Sequence, residues 1–472
     1  MQWRWLHLVL LAIGLGVSGC HTIKSPPVGT DFRGGEHPVA RIKFLADVTY
    51  VDDNGTRHSD QQIFDEVFKL IHGAHQFILV DMFLFNDFQG TTPEYTRLLS
   101  SELTEALLAR KRHHPDIEIV IITDPINIVY GGMRSPQLDA LREAGIQVTI
   151  SRLEKLRDSN LIYSWAWRLT FRWLGNSTRG GWFPHPFDDG RVTGRTWLRM
   201  LNFKANHRKV FIADTSAGFE AIVTSANAHD ASSAHHNVAV RFSGPVVADL
   251  FESELAVLQF SKGNLPKTQV ENPIETGHVA AQVVTEKQIE HVAIKTLRAL
   301  SEGDQMDLAC FFLSDQGVVR ELKKARARGA NLRILLDPNK DAFGYTKMGI
   351  PNRQVARDLN RAGLALRWFN THGEQGHAKM MHAHFRDGHD LLLLGSCNLT
   401  RRNLDNFNLE TNVALRGPSD VPVFRDASAY FERSWANRPG ETTSAPYKKY
   451  AELGYAKHIF SRLLEILGMG TF

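Results

Sequence analysis

Cysteine is scarce in this chain of 472 residues, which has only three, Cys20, Cys310 and Cys397. Two internal cysteines do not make a disulfide framework, so the sequence is not that of a small protein held together by disulfides. A single bond between Cys310 and Cys397 stays open. Both residues are better explained as small apolar side chains in a core.

Charge of one sign and long apolar runs are also scarce. The chain carries 55 Lys and Arg against 51 Asp and Glu, a net charge of +4 with a pI near 8.8. This lean toward anionic partners, such as lipid headgroups or nucleic acid, is too weak to name one. Beyond the N-terminus no run of about 18 apolar residues occurs, which argues against a transmembrane bundle. The composition, 43% hydrophobic and 22% charged, is that of a globular protein.

The N-terminus has the layout of an export signal. Arg4 precedes an apolar run, residues 8–17, that is too short to span a bilayer as a mature helix. The run ends in Val-Ser-Gly-Cys, with small residues before the expected cut. It resembles the bacterial lipoprotein signal, which implies that Cys20 is lipidated and becomes the first mature residue. His21 in place of Asp permits the outer membrane under the sorting rule of such proteins. An ordinary signal peptide or anchor with an incidental cysteine stays open.

After a Pro- and Gly-bearing tether at 21–36, the sequence is written twice. Helix-like and strand-like segments recur in the same order in the two copies. The matched pairs are 63–74 with 289–300, 77–85 with 306–314, 117–125 with 331–338, and 141–148 with 359–366. Short apolar strands that alternate with amphipathic helices predict an α/β layered domain. Two copies predict a pseudo-twofold pair with a ligand cleft between them.

The first copy carries about 48 extra residues, placed at about 152–203. Tryptophan and arginine are concentrated there: Trp165, Trp167, Trp173, Trp182, Trp197, Arg168, Arg172, Arg179 and Arg195. Aromatic and Arg-rich stretches are typical of a membrane–water interface. An insertion that folds back as core and lid is the equal alternative.

A His-x-Lys pair follows at the same point of each copy: His207 and Lys209, then His377 and Lys379. In an extended strand, residues i and i+2 face the same way, so each pair projects together. Two imidazoles and two ammoniums suit an anionic substrate. One neutral His can attack phosphorus and form a covalent phospho-His, while the other, protonated, donates to the leaving alkoxide and then acts as a base.

Small-residue turns follow both pairs, closing at Ser225 and Asn227 and at Ser396 and Asn398. The lysines and Asn227 and Asn398 can hold non-bridging oxygens as charge shifts in the transition state. This chemistry requires no metal ion and no cofactor. The null alternative, two structural histidines beside surface lysines, is disfavoured by the repeated placement.

These residues resemble the phospholipase D superfamily, whose signature is H-x-K-x4-D followed by a G/S-x-N turn, in two copies. The resemblance covers roughly 40–437. The first copy fits fully, with Asp214 at the Asp position. The second has His384 there, although Glu410 stands where the family places an acidic residue near the site. The corresponding position of the first copy holds Asn237. The resemblance implies that His207 is the nucleophile and His377 the acid, an order that the residues themselves leave open.

Strand alternation places His384 on the opposite strand face from His377. We therefore expect His384→Asp to leave activity within about tenfold of wild type, a barrier change of about 1.4 kcal/mol or less. Glu410→Ala should be severe. Two histidine pairs, His382 with His384 and His235 with His236, raise the question of zinc. No Cys or carboxylate stands beside them in sequence at ligand spacing, so a metal site is rejected.

The sequence thus predicts two phospholipase D-type α/β domains that share one active-site cleft. The expected segments are a signal peptide (1–19), a tether (20–39), a first domain (40–262), a linker (263–285), a second domain (286–440) and a C-terminal amphipathic helix (441–472). That helix would lie on a membrane or dock on the fold.

The expected function is hydrolysis or phosphatidyl transfer on a phospholipid substrate. The expected location is the periplasmic face of a Gram-negative outer membrane, with attachment through Cys20 and no obligatory nucleic acid. Two alternatives stay open. One is an exported nuclease of the same superfamily, and the other is a non-catalytic membrane scaffold suggested by His384.

Overall fold

The computed structural model describes residues 24–342, 345–452 and 454–466. In these residues the chain forms two mixed β-sheets with helices packed on them, which confirms the predicted α/β class. Cys20 and the predicted signal segment lie outside the described residues. Of the helices that the structure describes, none combines the length and the apolar character that a membrane crossing requires.

The described elements follow one another along the chain as twenty-three strands and twelve α-helices. The strands are β1 (His37–Val39), β2 (Ile42–Val51), β3 (Arg57–Asp60), β4 (Phe77–Met82), β5 (Phe85–Asn86), β6 (Glu118–Thr123), β7 (Gln147–Ile150), β8 (Phe183–Pro184), β9 (Arg191–Val192), β10 (Lys209–Thr215), β11 (Gly218–Thr224), β12 (Ala228–His229), β13 (Asn237–Phe242), β14 (Val279–Thr285), β15 (Gln305–Cys310), β16 (Asn331–Leu336), β17 (Asp341–Ala342), β18 (Tyr345–Thr346), β19 (Ala365–Phe369), β20 (Lys379–His384), β21 (His389–Gly395), β22 (Thr411–Pro418) and β23 (Ser444–Pro446). The helices are α1 (Ile63–Gly73), α2 (Leu99–His113), α3 (Pro136–Glu143), α4 (Leu161–Leu169), α5 (Gly194–Met200), α6 (Val246–Ser261), α7 (Lys287–Ala299), α8 (Gln316–Ala327), α9 (Asn352–Arg361), α10 (Arg401–Leu404), α11 (Pro422–Ala436) and α12 (Tyr455–Ile466).

The two main sheets repeat one strand order. The first runs β3-β2-β13-β11-β10-β4-β6-β7, and the second runs β1-β14-β22-β21-β20-β15-β16-β19-β23. The order from β2 to β7 in the first sheet therefore corresponds to the order from β14 to β19 in the second. In both of these seven-strand orders the last three strands, β4-β6-β7 and β15-β16-β19, are parallel to one another, and the remaining neighbours are antiparallel. The sequence repeat is thus a repeat of topology.

Each sheet is buried on both faces, and strand alternation decides which residue meets which layer. In β10, Val210 and Ile212 join a core shared by both halves, while Phe211 and Ala213 face the core under the helices of the first half. In β20, Met380 joins the shared core and Met381 the helix-side core of the second half. Because side chains alternate with a period of two, one strand contributes to two layers.

A buried arginine also links the two halves. Arg208, fully buried, donates to Glu254 on α6 at 3.0 Å and to Glu286, just before α7, at 2.8 Å. Glu286 in turn accepts the backbone N–H of Glu410 at 3.1 Å. Two charges removed from water need such partners, since an unpaired buried charge is strongly destabilising. The residue beside His207 therefore holds the start of the second half.

Three segments that were predicted as a tether, a linker and a C-terminal helix contribute strands to the second sheet. β14 lies within the predicted linker 263–285, and β1, within the tether 20–39, pairs with it. β23, within the predicted C-terminal helix 441–472, pairs with β19 at the sheet edge, and α12 covers only the later part of that segment. Short apolar segments of three to seven residues carry too little periodicity to be recognised as strands.

Candidate functional site

His207 stands at the entry of β10 and is held by the other half of the chain. Its Nδ1 lies 2.9 Å from the Glu410 carboxylate, and its backbone N–H donates to Leu409 O at 2.9 Å. Glu410 is itself fully buried and accepts hydrogen bonds from Ser396 Oγ and Asn403 Nδ2. With Nδ1 engaged, Nε2 is the nitrogen of His207 left for chemistry.

His377 has the mirrored arrangement with a different acceptor. Its Nδ1 lies 3.1 Å from Oδ1 of Asn237, which also accepts from Ser225 Oγ at 2.9 Å. The backbone N–H of His236 donates to Gln375 O at 3.0 Å, as the strand entries of the two halves pair. Each histidine is therefore oriented from across the interface, His207 by a carboxylate and His377 by a neutral amide.

Two aspartates that are each followed by proline, Asp124 and Asp337, bind the residues that precede the histidines. Asp124 accepts the N–H of Asn206 at 2.7 Å, and Asp337 accepts the N–H of Gly376 at 2.7 Å. A side chain at position 376 would not fit, because a Cβ there would lie 2.1 Å from the ring of Phe369. Both aspartates are buried, and burial raises the pKa of Asp124 to about 7 and that of Asp337 to about 6.

The lysines lie under the histidines in equivalent positions. Lys209 Nζ donates to His207 O at 2.7 Å, and Lys379 Nζ donates to His377 O at 2.8 Å. Each ammonium also lies over an aromatic ring, Lys209 5.0 Å from the centroid of Phe83 and Lys379 5.2 Å from that of Phe311. These rings contact the histidines as well, at centroid distances of 4.7 and 4.9 Å.

The titratable groups of the two pairs lie close enough to shift one another's pKa values. Burial, and after it the ammoniums of Lys209 and Lys379, hold the pKa of His207 well below its ordinary value. Burial, Lys379 and His235 do the same to His377. Burial lowers the pKa of Lys209 to about 7 and raises that of Glu410 to about 8. Without an anion the site disfavours its own charges, and a phosphodiester beside the lysines would relieve this.

The two turn asparagines are buried beside the same elements. Asn227 Oδ1 accepts the N–H of Leu84 at 3.4 Å, next to Phe83. Asn398 is 6% exposed, and its Oδ1 has no hydrogen-bond partner among the described residues. Asn227 lies two residues after Ser225, which binds Asn237, and Asn398 lies two residues after Ser396, which binds Glu410. Both asparagines therefore lie close to the side chains that orient the histidines. An orphaned buried amide oxygen is costly unless a ligand or water meets it.

Asp214 requires a correction, because the structure does not bring it to the histidines. It lies five residues along β10 from Lys209, roughly 17 Å at strand spacing. Its carboxylate accepts the backbone N–H groups of His75, Gln76 and Phe77 at 2.8–3.1 Å. Asp214 therefore caps the turn between α1 and β4 and supports the site through the strand.

His384 stands at the corresponding end of β20. Its Nδ1 lies 2.9 Å from Asp390, its Nε2 3.5 Å from Asp307, and His382 Nε2 lies 2.8 Å from the same Asp390. Although burial lowers it, hydrogen bonds to Asp307 and Asp390 raise the pKa of His384 to about 9. His384→Asp would place a third carboxylate beside Asp307 and Asp390, so we expect the variant to be less stable than wild type, while the expectation for its activity is unchanged.

The same cluster bears on the rejected metal site. His382, His384 and Asp390 offer ligand atoms within 4.8 Å of one another, the one such group found among the described residues. The pairing of β20 with β21 brings in a carboxylate that sequence spacing did not reveal. Since both imidazoles are already bonded to Asp390, and Arg333 binds Asp307 at 2.7 Å, protons and a guanidinium neutralise these acids.

Several contributors to the site were not among the predicted residues. Ser396 and Asn403 hold Glu410, Phe83 and Phe311 line the histidines, and His235 lies 5.7 Å from His377 between ring centroids. A signal existed for the two phenylalanines, since each directly follows the corresponding strand of its copy. No local pattern marks Asn403 or His235.

Known proteins resemble both the sequence and the fold. Residues 296–435 match the family described as "Cardiolipin synthase, PLD-like domain". Cardiolipin synthase B of Salmonella typhi is 24% identical over 248 residues, covering 48% of this chain and 56% of that protein, and the Salmonella typhimurium protein gives the same figures. The match thus spans about half the length of these relatives.

A solved structure extends the likeness to the whole fold. Phosphatidylserine synthase from Haemophilus influenzae superposes with a TM-score of 0.54 at 10% identity, over 92% of this chain and 97% of that one. At this identity the likeness concerns the fold. It includes both halves of the chain, and therefore the half that lies outside the matched family domain.

We predict that Asp214→Ala destabilises the protein by about 1–3 kcal/mol, because the buried N–H of Phe77 loses its acceptor, whereas the N–H groups of the exposed His75 and Gln76 can bind water instead. Turnover per folded molecule should stay within about threefold of wild type. Chemical denaturation and steady-state kinetics measure the two effects. Asp214→Asn, which keeps one acceptor oxygen, is the matched control and should lose less stability. Loss of turnover at unchanged stability would return Asp214 to the chemistry.

We predict that His384 makes stability depend on alkaline pH. Its folded-state pKa of about 9 exceeds the 6.5 of a free imidazole, so the stabilisation is complete below pH 6.5 and is lost as pH rises towards 9. The Tm of His384→Gln should therefore change less over this range than that of wild type. His389→Gln, an exposed histidine beside the same hairpin, is the control. Parallel Tm curves for wild type and His384→Gln would contradict the pairing.

Proposed function

We propose that this chain is a member of the phospholipase D superfamily and acts as a phospholipid phosphodiesterase or phosphatidyltransferase. One observation carries the proposal: two His-x-Lys pairs meet at one interface, and each histidine Nδ1 is held by an acceptor from the opposite half. That arrangement leaves two imidazole Nε2 atoms for a two-step displacement at phosphorus.

In the proposed first step, Nε2 of neutral His207 attacks the phosphorus of the lipid phosphodiester. A P–N bond forms, the bond between phosphorus and the headgroup oxygen breaks, and His377 donates its Nε2 proton to the leaving alkoxide. The depressed pKa of His207 keeps its nitrogen unprotonated for attack. The bound phosphate anion favours the protonated form of His377 that this step requires.

In the second step, His377 removes a proton from the acceptor hydroxyl as its oxygen attacks phosphorus. The P–N bond breaks and His207 is restored. Water as acceptor gives hydrolysis, and a glycerol-type hydroxyl gives phosphatidyl transfer. The ammoniums of Lys209 and Lys379 stabilise the non-bridging oxygens in both steps.

The supports favour this order of roles. A phospho-imidazole carries developing positive charge, which favours the ionised form of Glu410 beside Nδ1, and the resulting carboxylate stabilises the intermediate. His377 must change protonation twice in each cycle, and the amide of Asn237 orients it without a fixed charge that would hold the proton. The glutamate is therefore bonded to His207, the histidine on which we propose that the positively charged intermediate forms.

The proposed setting is a membrane surface, reached through a lipid on Cys20. The support is the Val-Ser-Gly-Cys sequence after a short apolar run and before a tether. Mass analysis of the N-terminal peptide of the mature protein tests it, with Cys20→Ser as the comparison. We expect a lipidated residue 20 at the N-terminus and fractionation with membranes. A soluble mature protein that starts at another residue would remove the anchor.

Product analysis tests the substrate class. The protein is incubated with defined phospholipids, with and without glycerol-type acceptors, and the products are identified by mass. We expect phosphatidic acid with water and a new phosphatidyl ester with the acceptor. Single- and double-stranded DNA form the comparison arm. Cleavage of DNA with inert lipids would favour the nuclease, and no turnover in either arm would favour the scaffold.

We predict that the covalent intermediate can be trapped on His207 in the His377→Ala variant. A phosphodiester with a p-nitrophenolate leaving group needs no proton, so the first step proceeds while the second lacks its base. Peptide mass spectrometry should find the adduct on His207. Natural-lipid turnover should fall by about 10²–10⁴-fold in this variant and be lost in His207→Ala.

Two support variants complete this test. Glu410→Ala should reduce adduct formation strongly, and Asn237→Ala should reduce it less, because the two side chains orient different histidines. An adduct on His377 in the His207→Ala protein would reverse the roles. Full turnover in either histidine variant would refute the shared site.

A further inference from the structure

The insertion of the first half, residues 152–203, forms most of the wall of a cavity of about 280 Å³ that the proposed chemistry does not use. Its wall carries five cations and two carboxylates: Arg168, Arg172, Arg195, Arg199, Lys204, Glu154 and Asp158. Such a concentration of guanidiniums suits a phosphate, which arginine binds with paired N–H donors. The overall charge of the chain gives no hint of it.

The carboxylates leave part of this charge uncompensated. Asp158 binds both Lys204, at 2.6 Å, and Arg168, and Glu154 binds Arg152 at 2.9 Å. Among the described residues, no carboxylate forms an ion pair with the remaining three arginines, Arg172, Arg195 and Arg199. Their positive charge therefore remains available to an anion.

Backbone contacts hold two of these arginines in place. Arg195 donates to Leu174 O at 2.7 Å and to Arg172 O at 3.1 Å, and its buried Nη1 has no hydrogen-bond partner in the described part of the chain. Arg199 donates to Tyr130 O at 3.2 Å. Neutral carbonyl groups thus hold two arginine side chains of the pocket in place, and further guanidinium N–H donors remain for a ligand.

Large apolar side chains project into solvent beside the pocket. Trp182 is 91% exposed and Trp173 75% exposed, and three further residues of this strip are more than half exposed: Leu169, Leu174 and Phe183. Arg172 lies 5.2 Å from the ring centroid of Trp173, so Trp173 adjoins the pocket wall. Exposed tryptophans beside arginines match the interfacial layer of a bilayer, where rings lie at headgroup depth.

The N-terminal tether starts at the same place. Lys24 Nζ donates to Lys155 O at 2.8 Å, next to the cavity residues Glu154 and Asp158. Cys20 is four residues before Lys24, and four residues span at most about 14 Å. A lipid on Cys20 would therefore enter a bilayer close to the pocket and the exposed tryptophans.

We propose that residues 152–203 form a membrane-docking element: the arginine pocket binds the phosphate of an anionic phospholipid, while Trp173 and Trp182 enter the bilayer interface. This deepens the proposed function and rests on it for the membrane setting. Lys204 of the pocket lies three residues before His207, so docking would bring the lipid layer to the site entrance. The lid alternative predicts no insertion of these tryptophans.

Tryptophan quenching tests the docking. The full chain, processed and purified, is bound to phosphatidylcholine vesicles with brominated acyl chains and increasing phosphatidic acid, which has no headgroup alcohol for the proposed chemistry to release. We expect quenching that rises with phosphatidic acid and is lost in Trp173→Phe/Trp182→Phe. Soluble glycerol phosphate, the free-phosphate arm, should bring no quenching. Quenching that does not depend on these tryptophans, or that glycerol phosphate reproduces, would overturn the proposal.

Arg172→Gln probes the pocket. Because the side chain of Arg172 is exposed, we expect the variant to fold like wild type, and a comparison of Tm values checks this. The phosphatidic acid fraction for half-maximal quenching should rise about fivefold, the factor for ~1 kcal/mol per cation at an anionic surface. Arg320→Gln, an exposed arginine on α8 in the second half, is the charge-matched control and should not change it. Equal effects of the two variants would refute a specific pocket.

Turnover on the same vesicles separates the two proposals. A protein that turns over lipid without quenching retains the proposed function and loses the docking element. A protein that docks without turnover retains the docking and loses the chemistry. Turnover of a soluble phosphodiester, which needs no membrane docking, should be the same in the charge-matched control Arg320→Gln as in wild type.

Discussion

The hydrogen bond between His207 and Glu410 crosses from one half of the chain to the other, and the arrangement of the molecule depends on it. The carboxylate that orients the first histidine belongs to the second half, and the amide that orients the second histidine belongs to the first. Neither half contains a complete dyad, so the halves must dock with strand entries in register. The Arg208–Glu286 pair fixes this docking next to His207, and Glu286 accepts the N–H of Glu410 itself.

Burial makes this interface electrostatically one-sided. Two lysines, two histidines and a glutamate lose most of their water, and every one of them has a pKa shifted toward its neutral form. Desolvated cations that repel one another are a poor resting arrangement but a favourable one for an arriving anion. In the proposed mechanism, Lys209 and Lys379 supply the positive charge that a metal ion would otherwise provide when a phosphodiester binds.

The repeat, the α/β class and the two His-x-Lys pairs could be predicted because they depend on local periodicity and on spacing within each copy. The pairings across the interface could not be predicted, since the bonded partners His207 and Glu410 are 203 residues apart in sequence. Motif membership also misled: Asp214 belongs to the signature but caps a turn at the far end of the strand. Likewise Asp390 reaches His384 only through the β20–β21 hairpin, which is why spacing alone revealed no carboxylate beside the histidines.

The two copies have diverged in their supports and not in their reacting groups. At one strand end, Asp214 binds backbone N–H groups, while the equivalent His384 binds two carboxylates, so the same position stabilises the strand through opposite charges. At the other end, Glu410 and Asn237 occupy equivalent places and differ by one charge. A symmetric pair of histidines would have no reason to divide attack from proton transfer. Because only His207 is hydrogen-bonded to a buried glutamate, a positively charged phospho-imidazole would be lower in energy there than on His377, and this asymmetry is why we propose His207 as the attacking group.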